Sequence, residues 1–329
     1  MLVMGQIIIE FKDIVTMKIS ASEKVLELLQ EYYPYLESKN AEIDYIIHVA
    51  NKNVSKYRSI PDYAMYGKCF CGPKYFYWDS DGYDFAHSAP NEKFGEHVVI
   101  KKENEFLLVS YSGSVQQQVL AITREIVTRK LLEKGYFPIH STSVYTNEKG
   151  ILFFANKHQG KSASMFSSIL FLNAFPISGD VSFVKRDDSG WKICGWPGRA
   201  SIDPMYFRLI DYPYDNLFQE QSNGKVRFTP AEMERVFQTK WVWTYSLMEL
   251  VHVDVIPGQK SSKCKLTTQE LKEQLEKYGS DCSWTWDDVF NLGGNMPVQF
   301  YEQLSQDVKG YYLNGDIIQF FQQRGEENE

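Results

Sequence analysis

The sequence predicts an α/β protein with two parts, an N-terminal α+β domain over residues 1–135 and a second α/β domain over residues 136–329. Three observations lead to this expectation. The chain has 329 residues, which is more than one domain usually contains. Residues 43–100 carry short apolar runs separated by turn-rich segments, which is typical of strands. Residues 150–175 show a strand, a polar loop and a helix in succession.

The first domain begins with an apolar strand that is followed by a helix. Ser20 and Glu23 have the spacing of a capping box, and the leucines after them predict a helix that stops before Pro34. Residues 43–100 then predict a meander of strands. Residues 114–135 carry apolar side chains at helical spacing and end on a glycine, so a second helix closes the domain.

The second domain opens with two strands that are joined by a turn. FPIHSTSVYT and ILFFA predict the strands, and NEKG between them predicts the turn. ASMFSSILFLNAF predicts a helix, and VSFVKRD and WKICGW predict a hairpin that turns at residues 187–190. Further along, LMELVHVDVI predicts a strand, and the segment after it predicts a helix that ends at Gly279.

The composition excludes several classes of protein. Apolar residues make up 43% and charged residues 23%, which is typical of a folded globular chain. The net charge is −7 and no run of basic residues is present, so we do not expect the protein to bind duplex nucleic acid. No segment approaches the about 20 apolar residues of a membrane helix, and the start lacks the features of a signal peptide. The five cysteines form neither a disulfide framework nor a paired zinc motif, so we expect a reduced, cytoplasmic protein.

The most informative segment lies between a predicted strand and a predicted helix. It matches the Walker A (P-loop) pattern GxxxxGK[ST] at every fixed position except the first, which is Ala155. Gly160 lets backbone N–H groups turn toward phosphates at a helix N-terminus, Lys161 can reach the β- and γ-phosphates, and the Ser162 hydroxyl can ligate Mg²⁺. The predicted nucleotide-binding residues are Asn156, Lys157, His158, Gln159, Gly160, Lys161, Ser162 and Ala163. The alternative is a surface turn that contains Gly-Lys-Ser by chance.

Four segments then suggest a family. PIHSTSV, ILFFANKHQGKSA, PISGDVSFV and GWKICGWPGRASI, in this order, resemble the landmarks of the HPr kinase/phosphorylase-related P-loop kinases, whose fold is shared with phosphoenolpyruvate carboxykinase. The resemblance covers about residues 140–278. It implies an HPr-kinase-like core that uses ATP and Mg²⁺.

The resemblance also implies roles for individual residues. Lys161 and Ser162 would hold the phosphates and Mg²⁺. Asp180 aligns with the second aspartate of the family's pair and would be a metal ligand or the base that takes the proton of the acceptor hydroxyl. His140 would lie beside Asp180. Taken singly, an aspartate at a strand end is more often a turn former, and a histidine on a strand is more often a core residue.

Two further positions bear on this assignment. Gly179 replaces the family's first aspartate, which leaves one carboxylate where the family has two. Arg199 aligns with an arginine of the family's hairpin and could hold a phosphate or an anionic acceptor, although a solvated arginine is nearly as plausible there.

These observations predict an ATP- and Mg²⁺-dependent kinase that phosphorylates a serine or threonine of a peptide or small protein. The resemblance makes a ribosomally made precursor peptide, of the lasso-peptide type, the first candidate acceptor. We expect the N-terminal domain to serve acceptor recognition or homo-oligomer formation. The alternatives are a nucleotide-binding module without catalysis, which Ala155 and Gly179 would favour, a small-metabolite kinase or carboxykinase-like transferase, and a structural partner protein.

Overall fold

The computed structural model of the chain describes residues 4–33, 41–50, 59–70, 72–90, 92–196, 198–213, 224–279, 286–295 and 300–326. Two of the cysteines, Cys71 and Cys282, and Pro34 lie outside these residues. The chain divides into two units, Met1–Gly135 with Cys282–Met296, and Tyr136–Asp281 with Pro297–Glu329. Both units combine helices with a large β-sheet, so the predicted α/β class is confirmed.

In the first unit, the described residues form one sheet and two helices. Its strands are β1 (Met4–Phe11), β2 (Val15–Ser22), β3 (Tyr45–Ala50), β4 (Met65–Lys68), β5 (Lys74–Ser80), β6 (Tyr83–Ser88), β7 (His97–Lys102) and β8 (Glu105–Ser110). They are ordered β1-β2-β3-β8-β7-β6-β5-β4. The predicted meander is present as β4 to β8, which pair antiparallel in chain order, whereas β3, which was expected to belong to it, pairs parallel with β2 and β8. The helices are α1 (Glu23–Tyr32) and α2 (Val115–Glu133).

The predicted capping box is wrong. Ser20 lies inside β2 and pairs with Gln6 of β1. The helix α1 begins at Glu23, and its N-cap, Ser22, makes no side-chain capping hydrogen bond. The strand continues past Ser20 because most of its residues, Ser20 included, are buried, and this burial outweighs a local capping preference.

Residues 286–295 belong to the first unit, although the sequence predicts a second domain that runs without interruption over residues 136–329. Arg129 of α2 donates hydrogen bonds to the carbonyl oxygens of Asp287 and Gly294. The ring of Trp286 packs edge-on against Phe70 at 4.6 Å. These long-range contacts, and not a pattern within the segment, attach it to this unit.

The second unit contains the predicted loop. Its strands are β9 (Phe137–Thr146), β10 (Lys149–Phe154), β11 (Phe175–Ser178), β12 (Val181–Asp187), β13 (Gly190–Gly195), β14 (Ala200–Ile202), β15 (Val226–Phe228), β16 (Thr244–Val255), β17 (Ser262–Lys265) and β18 (Lys309–Gly315). Its helices are α3 (Lys161–Leu172), α4 (Met205–Leu209), α5 (Pro230–Phe237), α6 (Thr268–Tyr278), α7 (Tyr301–Asp307) and α8 (Ile317–Glu326). The predicted β9–β10 turn, the β12–β13 hairpin and the helix ending before Gly279 are all present.

The main sheet of this unit runs β10-β9-β12-β13-β16-β18-β17, and β10 also pairs with β16. The β10–β16 and β16–β18 pairs are parallel, so these three strands end at the same edge of the sheet. Side chains alternate between the two faces. Phe154 lies in an apolar core with Leu271 and Leu275 of α6, whereas Phe153 contacts Phe321 of α8. Helices therefore cover both faces, and α3 begins where β10 ends.

No helix among the described residues is both long enough and apolar enough to cross a membrane.

Candidate phosphate-binding site

The loop from Ala155 to Gly160 connects β10 to α3, as the pattern predicts, and its shape depends on a glycine. Gly160 is the N-cap of α3 and has φ +98°, which is unfavourable for other residues. A β-carbon at this position would lie 1.7 Å from Cγ2 of Val255. His158 also adopts a positive φ of +66°, so the loop bends there as a glycine-containing loop would.

Lys161 lies at the centre of the loop. Its side chain is 8% exposed, and Nζ donates hydrogen bonds to the carbonyl oxygens of Ala155 (2.8 Å) and Asn156 (2.9 Å). The Thr142 hydroxyl donates to the Lys161 carbonyl oxygen at 2.8 Å, which ties the start of α3 to β9. The ammonium group therefore stands beside the N-terminus of the helix, where both the helix dipole and the lysine favour an anion.

Gln159 holds the loop in this shape. Its side-chain oxygen accepts a hydrogen bond from the Asn156 backbone N–H at 2.8 Å, and its Nε2 donates to Asp254 Oδ1 at 3.3 Å. Asp254 lies near the end of β16 and also accepts a hydrogen bond from the Tyr312 hydroxyl at 3.2 Å. Because β16 is parallel to β10, Asp254 reaches the loop from the neighbouring strand end.

His252, two residues before Asp254, has a structural role. It is 5% exposed, and its ring lies 5.4 Å from that of Phe154 and 4.7 Å from that of Tyr278. Burial lowers the pKa of His252 to about 4, although the nearby Asp254 carboxylate favours the charged form. The imidazole is therefore neutral at pH 7 and belongs to the core beneath the loop.

A cavity of about 860 Å³ opens at the start of α3. The predicted residues that line it are His140, Lys157, His158, Gly160, Lys161, Ser162, Ala163 and Asp180. Such a volume is typical of a small-molecule site. Asn156 and Gln159 shape the loop, but they are not among the described residues that line the cavity.

The cavity wall contains the predicted His140–Asp180 pair. His140 lies on β9 opposite Val181 of β12, which places Asp180 beside it, and the Ser141 N–H donates to the Asp180 carbonyl oxygen. His140 Nε2 and Asp180 Oδ1 are 3.7 Å apart. The imidazole is 16% exposed and the carboxylate 65% exposed, so the carboxylate is open to a ligand in the cavity.

Gly179 leaves no room for a second carboxylate. A β-carbon there would lie 2.8 Å from both the Ala200 α-carbon and the Arg199 carbonyl oxygen, so a side chain would displace backbone. Arg199 contributes this backbone contact, but of the described residues in its segment only Ser201, Ile202 and Asp203 line the cavity. The structure therefore places Arg199 beside the site and not within its wall.

Several residues of the wall were not predicted. Most come from the segments around α4 and the start of α8, where the polar ones are Ser201, Asp203, Tyr206, Lys225, Asp316, Gln319 and Gln322, and Thr142 of β9 is a further polar one. No local motif marks them, because they reach the cavity only through the packing of distant segments. Asp254 could have been proposed as a site residue from the sequence, because it lies near the end of a strongly apolar strand.

No protein-family model matches the chain, and neither does any curated protein sequence. Among solved structures, the chain is similar to the Hpr(Ser) kinase/phosphatase from Coxiella burnetii, with 6% sequence identity and a TM-score of 0.28 over 57% of this chain and 91% of that chain. This likeness is too distant to support a statement about activity.

Proposed function

We propose that the cavity binds a nucleoside triphosphate, ATP in the first instance, with Mg²⁺, and that the protein transfers the γ-phosphate to a serine or threonine hydroxyl of a peptide or small protein. One observation carries this proposal. Lys161, Ser162, Asp180 and His140, which come from three separate segments, line the same cavity. Phosphoryl transfer requires this combination of anion binding, a hydroxyl ligand and a proton acceptor.

The loop and helix supply the phosphate site. The first N–H groups of α3 have no partner within the helix, so they can donate to the oxygens of a phosphate bound at the helix N-terminus. Lys161 already stands within the loop, where its ammonium can exchange carbonyl oxygens for phosphate oxygens. The site therefore offers a positive field without a cluster of arginines.

The residues present fit a magnesium ion. Mg²⁺ is held by one or two protein oxygen ligands together with water and substrate phosphates. The Ser162 hydroxyl is a ligand of this kind and lines the cavity, and phosphate oxygens and water would complete the set, which leaves the Asp180 carboxylate to take the proton. The described residues contain no group of three or more His, Cys, Asp or Glu side chains that could enclose a metal by themselves, and a phosphate-bound Mg²⁺ does not need one. Bound there, the ion would neutralise charge on the β- and γ-phosphates.

The chemical step follows from the position of Asp180. The acceptor hydroxyl oxygen forms a bond to the γ-phosphorus, and the bond from that phosphorus to the β-phosphate oxygen breaks, so the nucleoside diphosphate leaves with the bonding electrons. The proton of the hydroxyl passes to the Asp180 carboxylate. His140, 3.7 Å away, orients this carboxylate.

Binding without catalysis is the second candidate, and Gly179 favours it. Since backbone packs against this glycine, one carboxylate must serve the metal or the proton. Phosphorylation of a small metabolite is a variant of the first proposal. The two are distinguished by whether the γ-phosphate of ATP is recovered on a peptide or on a metabolite. For the first unit we retain a role in acceptor recognition or oligomerisation as a proposal.

The test uses the full-length protein with ATP and Mg²⁺. At a nucleotide concentration of about 100 Kd, binding should stabilise the fold by about 2.7 kcal/mol, which a thermal-shift assay measures. Lys161→Ala should lose this shift. Asp180→Asn should keep the shift and lose about 10²- to 10⁴-fold in phosphoryl transfer.

Lys265→Ala and Asp188→Asn are matched controls, because both residues are exposed and neither lines the cavity. A Lys161→Ala protein that binds ATP as the wild type does would contradict the proposed site. Transfer or turnover that survives in Asp180→Asn would instead favour binding without a catalytic role for this residue.

A further inference from the structure

The cavity has a second wall, built around α4, that the phosphate chemistry does not use. We define the α4 wall as residues 201–209 together with Gly224 and Lys225. Within it, Met205 is 52% exposed and Leu209 is 59% exposed, and both line the cavity. Their spacing of four residues places them on one face of the helix. The α4 wall therefore presents a pair of bulky apolar side chains to the cavity.

The exposure of this pair is not caused by loose packing of α4. Tyr206 and Phe207, which lie between them in the chain, are buried. The Tyr206 hydroxyl is 2.9 Å from the Ser167 hydroxyl of α3, and the ring of Phe207 packs against that of Phe166 at 6.0 Å. The helix is anchored on α3 by one face while the other face is left open.

The α4 wall continues from β14, the strand beside the proposed base. Gly179 packs against the backbone of Ala200, so β14, which leads into α4, is adjacent to Asp180. The loop itself packs against other elements. A β-carbon at Gly160 would meet Val255 at the end of β16 and Ile317 at the start of α8. Residues of α4 and of α8 both line the cavity, and β14 connects the backbone beside Asp180 to α4.

We infer that the α4 wall binds the phosphate acceptor, and that this acceptor is a peptide with a bulky apolar residue next to its serine or threonine. The inference rests on the proposed phosphotransferase. An acceptor hydroxyl must come within hydrogen-bond reach of Asp180, and because Met205 and Leu209 line the same cavity, the groups beside that hydroxyl can contact them. An apolar neighbour buries these two side chains, whereas a sugar or another polar metabolite leaves them in contact with water. The flexible side chain of Met205 also accommodates different apolar shapes.

The test compares two synthetic peptides with one serine each. They are identical except that both neighbours of the serine are leucine in one peptide and asparagine in the other. With the full-length protein, ATP and Mg²⁺, the leucine peptide should have a kcat/KM about tenfold higher. The double variant Met205→Ser/Leu209→Ser should bring this ratio close to one. Because the ratio is taken within one variant, a general loss of activity does not affect it.

Met248→Ser is the matched control. Met248 is 47% exposed on β16 and does not line the cavity, so its substitution should leave the ratio unchanged. Equal kcat/KM values for the two peptides in the wild type, or an unchanged ratio in the double variant, would overturn the inference. Concentration-dependent self-association that the double variant abolishes would also overturn it, since it would assign the α4 wall to a second copy of the chain.

Failure of the inference can be told apart from failure of the proposed function. If ATP stabilises the protein and is hydrolysed in a Lys161-dependent way while neither peptide is phosphorylated, the inference alone is wrong. If ATP produces no thermal shift, the proposed function is wrong and the inference falls with it.

Discussion

Replacing Gly160 by alanine should destabilise the second unit and remove nucleotide binding. The positive φ of +98° costs a non-glycine residue about 1–2 kcal/mol. The added β-carbon would lie 1.7 Å from Cγ2 and 3.0 Å from Cβ of Val255, and relieving such overpacking costs about 1–3 kcal/mol more. The sum is about 2–5 kcal/mol, which lowers the Tm of a unit of this size by about 4–20 °C.

Two companion variants separate these contributions. Gly190→Ala introduces the same side chain at φ +112° with nothing within 4 Å, so it should show only the backbone cost. Val255→Ala removes the group that the new β-carbon meets. The double variant Gly160→Ala/Val255→Ala should therefore be more stable than the sum of the single effects predicts, by about 1–3 kcal/mol.

Thermal unfolding with and without ATP and Mg²⁺ measures both effects. If Gly160→Ala unfolds at the wild-type temperature and keeps the nucleotide shift, the close approach of the loop to β16 is not required. If Val255→Ala gives no rescue, the cost arises from the backbone alone and the steric argument is wrong.

Three further predictions concern other sites. Gly179→Asp, which restores the second carboxylate, should lose about 1–3 kcal/mol of stability and gain no phosphoryl transfer, because its β-carbon meets the Ala200 backbone at 2.8 Å; higher transfer would contradict this. Burial lowers the pKa of His97 from 6.5 to about 4, so this histidine protonates more readily in the unfolded chain and stability should fall by about 3 kcal/mol as pH drops from 6.5 to 4. Urea titrations of the wild type and His97→Gln at several pH values measure this loss. The same dependence of the unfolding free energy on pH in both proteins would refute the prediction. Glu125→Gln should cost the first unit about 3 kcal/mol, because the buried Arg129 loses its nearer ionic partner at 2.8 Å and keeps only Asp288 at 3.9 Å; unchanged urea unfolding would show that Asp288 and the backbone carbonyl partners of Arg129 suffice.

The sequence predicts the local part of the site well. The strand, loop and helix around Gly160 were predicted from residues that are adjacent in the chain, and the hairpins at Asn147 and Asp187 follow from turn chemistry in the same way. In each case the residues that carry the sequence pattern are the same residues that form the loop or turn. The capping box at Ser20 is the exception, since burial in the sheet prevailed over the local preference.

Residues far apart in the chain could not be assigned in this way. Asp254, Lys225 and the α4 wall meet the loop only because sheet pairing and the packing of α4 and α8 bring them there. Residues 286–295 joined the first unit through Arg129, a contact across more than 150 positions.

What the sequence alone determines and what only the tertiary structure determines differ in the range over which the underlying forces act. Hydrogen-bonding and φ preferences act over a few residues, so the amino-acid sequence already specifies a phosphate-type loop at Lys161. Which side chains face that loop depends on strand register and on the burial of apolar surface between distant segments, and register has no local signature. For this reason the loop could be found by inspection of the chain, whereas the α4 wall appeared only with the fold.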